Sequence, residues 1–253
     1  MSSAQQTKLT ILLVGDDCLD TYTYGFVNRI SPEAPVPIFE PHSSITKEGM
    51  AGNVKNNLEA FGCDVNFLSN DPGLISKTRF VDRRSGYQLL RLDEEETIVP
   101  WEGVGSTDIE QYDGIVISDY GKGFVTYENI QSIIENYTGP IFIDTKKQDL
   151  EKFNGCFVKI NELEDSLKKT TCDHLIVTKG SLGAFYQGIR FWAPTVNVHD
   201  VCGAGDTFLA ALAYKHLSTG NLHDAIAFAN RAASVAVQHT GVYVLTKEDI
   251  ASL

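Results

Sequence analysis

Short apolar runs bounded by Gly, Asp or Pro recur along the chain: LTILLVG, DVNFLS, DGIVISD, PIFID, CFVKI and HLIVT. Their brevity and their β-branched content predict strands, several of them buried on both faces of a sheet. Between them lie GNVKNNLEAF, TYENIQSIIENY, GDTFLAALAYKHLS and LHDAIAFANRAASVAVQH, where the patterning is that of helices. Strands alternating with helices predict an α/β domain with a mostly parallel central sheet, in which ligands bind outside the carboxyl ends of the strands. Residues 22–41 and 77–99 break the rhythm. There VPIFEP, KTRFVD and YQLLRLD read as strands with no helix between them, which predicts a small β flap beside the core. No internal repeat and no Pro/Ser-rich linker divides the chain, so one domain spanning 1–253 is expected.

Composition narrows the function classes. A chain of 253 residues that is 43% hydrophobic can bury a substantial core. The apolar run ILLVG near the start falls far short of the ~20 residues that span a bilayer. The opening MSSAQQTKLT has neither the basic start nor the apolar stretch of an export signal. Cys18, Cys63, Cys156, Cys172 and Cys202 never fall in CxxC spacing, which suits reduced thiols. A cytoplasmic protein without membrane contact is expected. The formal net charge of -12 repels a phosphodiester backbone, so nucleic acid is not an expected partner.

The candidate chemistry centres on DVCGAGDTF, residues 200–208, at the start of a helical pattern. The first amides of a helix have no intrahelical partner, and Gly203 and Gly205 bring no side chain, so an anion can approach the backbone there with the helix dipole in its favour. A carboxylate beside that anion repels it, which gives Asp206 a reason to exist as a base. It can take the proton of an acceptor hydroxyl while the amides of Gly203, Ala204 and Gly205 stabilise a phosphoryl group in transfer. The competing reading is a plain first-turn acid behind a tight turn. No GxxxxGK[ST] loop is present, and Phe208 occupies the third-glycine place of a GxGxxG fingerprint, which disfavours a nucleotide-dependent oxidoreductase. The Gly103 and Gly105 pair lacks a clear preceding strand and reads as a loop.

DVCGAGDTF resembles the second signature of the ribokinase-like (pfkB) carbohydrate kinases, and further motifs follow in the family's order. GDDCLD at 15–20 is similar to the early substrate motif, and GMAGNVKNNLEAFG to the first signature. NELE at 161–164 resembles the NxxE motif, and TKGSLG at 178–183 the nucleotide loop. Within the family, RISPEAPVPIFE, KTRF with QLLRLDEEE, and SDYGKG resemble the heptose 7-phosphate kinases. The resemblance implies a ribokinase-like three-layer sandwich with a β-flap lid. It also implies ATP with Mg²⁺ as the phosphoryl source, and transfer to the anomeric hydroxyl of a heptose 7-phosphate. Two departures stand out. Met50 follows Gly49 where the signature has a second glycine, placing a side chain where the sugar is expected. Little sequence separates NFLSN from KTRF, or NELE from HLIVT. A sugar or nucleotide binder without turnover, and a kinase of another sugar, are therefore alternatives.

The resemblance assigns Asp20 to sugar hydroxyls, against a turn acid. It gives Asn53 the same contact, against a helix cap. For the remote phosphate the candidates are Arg29 and Lys122, chosen from Arg29, Arg79, Arg91 and Lys122, against solvated cations. Asn161 and Glu164 can hold Mg²⁺ through water, against a helix N-terminus. Thr178, Gly180 and Gly183 form the expected nucleotide loop, against a simple turn, and Asn230 lies beside the adenine, against a polar residue between helices. Glu94, Glu95 and Glu96 read as a solvated flap edge. Apolar flap residues within 36–39 and 80–92 point to a homodimer through the flap.

Overall fold

The computed structural model describes residues 8–105 and 108–253. The opening seven residues, which entered the export-signal reading, lie outside that description. In chain order the elements are β1 (Thr10–Gly15), β2 (Asp17–Ile30), β3 (Pro37–Gly49), α1 (Met50–Ala60), β4 (Asp64–Ser69), β5 (Ile75–Asp82), β6 (Gln88–Glu95) and β7 (Gly114–Asp119). There follow α2 (Tyr127–Asn136), β8 (Ile141–Thr145), β9 (Phe157–Asn161), α3 (Glu162–Leu167), β10 (His174–Thr178), β11 (Ala184–Tyr186) and β12 (Ile189–Phe191). The chain ends with α4 (Ala204–Thr219), α5 (Leu222–Ala236) and α6 (Lys247–Ser252).

The main sheet has the order β12-β11-β10-β9-β8-β7-β1-β4, parallel from β4 to β10 and antiparallel at β11 and β12. Alternation along each buried strand sorts side chains to two faces. Leu12, Val14, Ile115, Ile117, Ile143 and Val158 face Ile130 and Ile133 of α2. Ile11, Leu13, Val116, Phe142 and Ile176 face Val54 and Leu58 of α1, Leu209 and Leu212 of α4, and Ile226 of α5. Helices thus cover both sides, and the three-layer expectation is borne out. No helix among the described residues is long and apolar enough to cross a membrane.

The flap is a second sheet of order β3-β2-β5-β6. It begins earlier than the sequence suggested, because β2 leaves β1 almost without a turn. Asp20 consequently lies within a strand rather than at the turn expected for it. The connection from β4 to β5 is a single 3-10 turn, Pro72–Leu74, with Asp71 as its cap, so the chain crosses from core sheet to flap without a helix.

Strand β1 has β4 on one side and β7 on the other, so the chain reverses direction across the sheet beside β1. Open parallel sheets place their ligand crevice outside the carboxyl ends of strands at such a point. The approach there is close: a Cβ on Gly15 would lie 2.5 Å from the Ser118 carbonyl oxygen. Asp16 N–H donates to that same oxygen at 3.0 Å.

Candidate active site

Asp16 follows β1 and is fully buried. Its carboxylate accepts the backbone N–H groups of Tyr120 (2.8 Å), Lys122 (3.1 Å) and Phe124 (3.1 Å), which shapes the loop after β7. Burial pushes this carboxyl above its ordinary range, with the three N–H groups opposing. The loop presents the Tyr120 hydroxyl, which donates to Asp206 Oδ1 at 2.6 Å. From α1, Asn53 Nδ2 donates to Asp206 Oδ2 at 3.0 Å. Asp206 is 2% exposed, and burial raises its carboxyl to about 6 against those two bonds, which lower it.

Asp206 sits in the first turn of α4. Gly203 caps that helix in the left-handed region at φ 74, without a side-chain cap. A Cβ on Gly203 would meet Asn53 Nδ2 at 2.6 Å, so both conformation and space require glycine there. The sequence expectation of a three-amide anion hole needs correction at one position. Ala204 N–H donates to the Val201 carbonyl at 3.3 Å, because the left-handed cap folds residues 201–204 into a turn. Gly205 and Asp206 N–H have no partner among the described residues.

Lys159, on β9, completes the anion cradle. The residue is 4% exposed, and its ammonium lies 2.7 Å from Asp144 Oδ2 on β8 and 2.9 Å from where a Gly205 Cβ would be. Burial pulls the ammonium down, but the Asp144 carboxylate outweighs it and holds Lys159 above its ordinary value. Gly205 is therefore the opening through which a buried cation faces the helix start.

The remaining predicted residues separate into those gathered near this centre and those that are not. Asp20 is buried and paired with Arg79 of β5, whose guanidinium also lies 5.0 Å from the Tyr22 ring and near Cys202 Sγ. Neighbouring Gly49 has no room for a side chain, since a Cβ would come 2.3 Å from Asp20 Oδ2. Met50 takes φ 47, yet its side chain is 3% exposed and belongs to the core cluster of Val14, Cys18 and Ile75. It is turned into the core and does not lie over the sugar position expected for it. Arg29 is not brought to the site. It lies nine residues beyond Asp20 on β2, roughly 30 Å along an extended strand. Lys122 pairs with Glu95, so that acid ties the flap to the loop after β7 and is not merely a solvated edge. Lys77 reaches inward from the flap as Arg79 does, with its ammonium 5.6 Å from the Tyr120 ring centroid.

Asn161 and Glu164 form a reciprocal capping box on α3: Glu164 N–H donates to Asn161 Oδ1 (2.9 Å) and Asn161 N–H to Glu164 Oε2 (2.7 Å). Lys146 pairs with Glu164 Oε1. The helix-terminus reading thus describes their side chains in this structure. No group of three or more His, Cys, Asp or Glu among the described residues could hold a metal directly. Magnesium fits here only as an ion that keeps most of its waters, which its reluctance to dehydrate allows.

Thr178, Gly180, Gly183, Gly205, Phe208 and Asn230 line one cavity of about 260 Å³. Its walls are apolar apart from a few convergent groups, as a nucleobase requires. Gly183 has φ 87, and a Cβ there would sit 2.0 Å from the Phe191 carbonyl oxygen. Asn230 Nδ2 donates to that same oxygen at 2.8 Å, joining α5 to the cavity wall. Tyr120, Lys159, Asp144, Arg79 and Lys77 were not singled out from sequence as reaction-centre residues. Tyr120 and Lys159 lie in SDYGKG and CFVKI, but nothing local marks which side chains of these stretches turn inward.

Comparison with known proteins agrees with this geometry. Residues 147–249 match the pfkB family carbohydrate kinases. The chain is 34% identical to the bifunctional protein HldE of a Nitratiruptor species over 298 aligned positions, covering 96% of this chain and 64% of that protein. It is 30% identical to the bifunctional protein HldE of Campylobacter jejuni, covering 98% of this chain and 65% of that protein. The chain therefore spans just under two thirds of the length of these relatives. Among solved structures, the Arabidopsis thaliana ribokinase complexed with ribose and ATP aligns with TM-score 0.71 at 17% identity, covering 97% of this chain and 98% of that one. Escherichia coli phosphofructokinase-2 aligns with TM-score 0.68 at 16% identity, covering 97% of each chain. Order of motifs, sheet topology and matched segment converge: the chain carries a pfkB-family carbohydrate kinase domain built on the ribokinase fold.

Proposed function

We propose that the protein is an ATP-dependent sugar kinase acting on the anomeric hydroxyl of D-glycero-D-manno-heptose 7-phosphate. The observation that carries this reading is the buried Asp206 carboxylate, held by Tyr120 and Asn53 beside two unpartnered N–H groups and the Lys159 ammonium. Such a constellation suits phosphoryl transfer, where positioning and charge neutralisation do most of the work. Asp206 takes the proton of the acceptor hydroxyl. Gly205 and Asp206 N–H, with Lys159, meet the charge on the migrating group. The cavity bounded by Thr178, Gly183 and Asn230 takes the adenosine end, with its phosphates directed toward Gly205. Glu164, released in part from Lys146, and Asp144 are the carboxylates nearest that path for a hydrated Mg²⁺, which when bound supplies charge neutralisation to the phosphates.

On the sugar side, Asp20 orients hydroxyls from its place against Arg79. Lys77, and Lys122 once it leaves Glu95, supply the positive charge for the remote phosphate. We read the flap and the sandwich as one kinase unit that works in the cytoplasm as a homodimer, with the flap as interface. The flap exposes Ile30, Ile45, Leu90 and Leu92 at 61%, 52%, 59% and 46%, more apolar surface than a free lid needs. The occupied Glu164 carboxylate and the engaged Ala204 amide favour one alternative, a binder without turnover.

The deciding measurement is ADP release from ATP and Mg²⁺ with heptose 7-phosphate, fructose 6-phosphate, ribose and adenosine as acceptors, run beside calorimetry of each ligand. Turnover greatest with heptose 7-phosphate is expected. Turnover with another acceptor would reassign the sugar, and binding without ADP release would establish the alternative.

A further inference from the structure

Tyr120 is where three parts of the site meet. Its backbone N–H is fixed by Asp16, and its hydroxyl donates to Asp206 Oδ1 at 2.6 Å. Two ammonium groups stand over its ring: Lys77 from the flap at 5.6 Å, and Lys146, the partner of Glu164, at 5.3 Å. A lone loop tyrosine would be mobile. Here backbone anchor, ring and hydroxyl are each constrained, so the phenol has one place to donate.

We propose that Tyr120 is a positioning residue for phosphoryl transfer, whose hydroxyl keeps the Asp206 carboxylate aimed and ready to accept a proton. The inference rests on the kinase reading above for the identity of the transfer, but its physical core is the hydrogen bond itself. The two bonds to Asp206 come from opposite quarters, Tyr120 on Oδ1 and Asn53 on Oδ2, and leave each oxygen a further lone pair for an acceptor hydroxyl. The other ionisable groups facing Asp206 are Asp144 on β8, which disfavours its charge, and Lys159 on β9, which favours it. Cys18 on β2 stays protonated, its thiol pushed up to about 12 by burial. From α1 the facing group is the neutral amide of Asn53. Tyr120 is itself held far above its ordinary range by burial and by Asp206, so it remains a donor across the working pH range.

A hydrogen bond to the ionised form lowers an acid's pKa, so losing it moves the protonation of Asp206 upward. In Tyr120→Phe, the acid limb of kcat/KM is expected to move up by about one pH unit. Turnover should fall about fivefold at pH 6, where the wild-type acid is half ionised, yet stay within about threefold of wild type at pH 8.5. A loss of equal size at every pH, with the limb unmoved, would overturn the proposal, since a merely structural role acts that way. Replacing Tyr120 with isosteric 3-fluorotyrosine strengthens the donor without removing the ring, and should move the limb down; an unmoved limb counts against the proposal even if the phenylalanine variant does not fold. Carboxyl carbon-13 titration of Asp206 in the ligand-free protein reads the same shift without turnover. Should wild type release no ADP, the kinase reading fails, while this titration still decides for or against Tyr120.

Discussion

At residue 206 a single carboxyl shows how burial serves reactivity at the expense of stability. Its folded pKa of about 6 lies above that of an unfolded aspartate, so the folded state binds the extra proton. The stability this group contributes is present at pH 4 and is lost as pH rises through about 6. Asp206→Asn removes the ionisation, so that variant should melt no lower than wild type at pH 7.5, with its advantage shrinking toward pH 4, as thermal unfolding across pH would show. Its ADP release should nevertheless fall ~10²-fold or more, because a general base is worth about that much. A variant that turned over as fast as wild type would remove Asp206 from the chemistry.

The start of α4 shows the same logic at the scale of an element. Helix α4 is apolar along most of its length and lies buried between α1 and α5 against β7 and β8 of the main sheet, so its position is set by the core. Its first turn is then free to be built for an anion, with glycine where a Cβ would intrude. Gly183 and Gly205, which line the same cavity, should respond differently to alanine. In Gly205→Ala the methyl crowds only the end of the Lys159 side chain, with Asp144 Oδ2 at an ordinary 3.8 Å, so the fold should survive with Tm near wild type while ADP release drops about tenfold or more. In Gly183→Ala the methyl meets backbone at 2.0 Å, and φ 87 is strained for any side chain, so a loss of about 1–3 kcal/mol of stability is expected. Parallel thermal unfolding and ADP-release measurements on the two variants separate an opening kept for a ligand from one kept for the chain itself.

At the scale of the whole molecule, the two sheets divide the labour. The sandwich carries Asp206, Lys159 and the cavity bounded by Thr178, Gly183 and Asn230, and the flap carries Asp20, Arg79 and Lys77. Beyond its base, where Cys18 and Ile75 join the core cluster, the flap is tied to the sandwich by polar links: Lys122 to Glu95, Lys47 to the Val242 carbonyl at 2.8 Å, and Lys77 over Tyr120. Polar links of this kind are individually weak, as the proposed role of the flap as a lid requires. The apolar outer positions of the flap have no such partners, and their exposure is the ground for a dimer. Sedimentation velocity over a dilution series should show a concentration-dependent dimer, and Leu90→Glu with Ile45→Glu should yield monomer at all concentrations. Wild type that stays monomeric at high concentration would remove the flap interface.

Strand and helix order, the α/β class and the helix start at DVCGAGDTF were legible in the linear pattern. Each depends on periodicity and turn chemistry within a few residues, and those are local properties of a chain. Asp206 was legible too, because its spacing from Gly203 and Gly205 places it in the first turn of a helix whatever the rest of the molecule does. Tyr120, Lys159 and Arg79 were not, since their roles come from partners 86, 15 and 59 positions away. The capping box at Asn161 and Glu164 is local and stood in the sequence as the helix-terminus reading; the length of β2, which carries Arg29 away from Asp20, did not, because pairing with β3 and β5 sets it. Which side chain meets which across strands β1, β7, β8 and β9 follows from sheet order and register. Packing of the whole core selects these, and no stretch of residues encodes them alone.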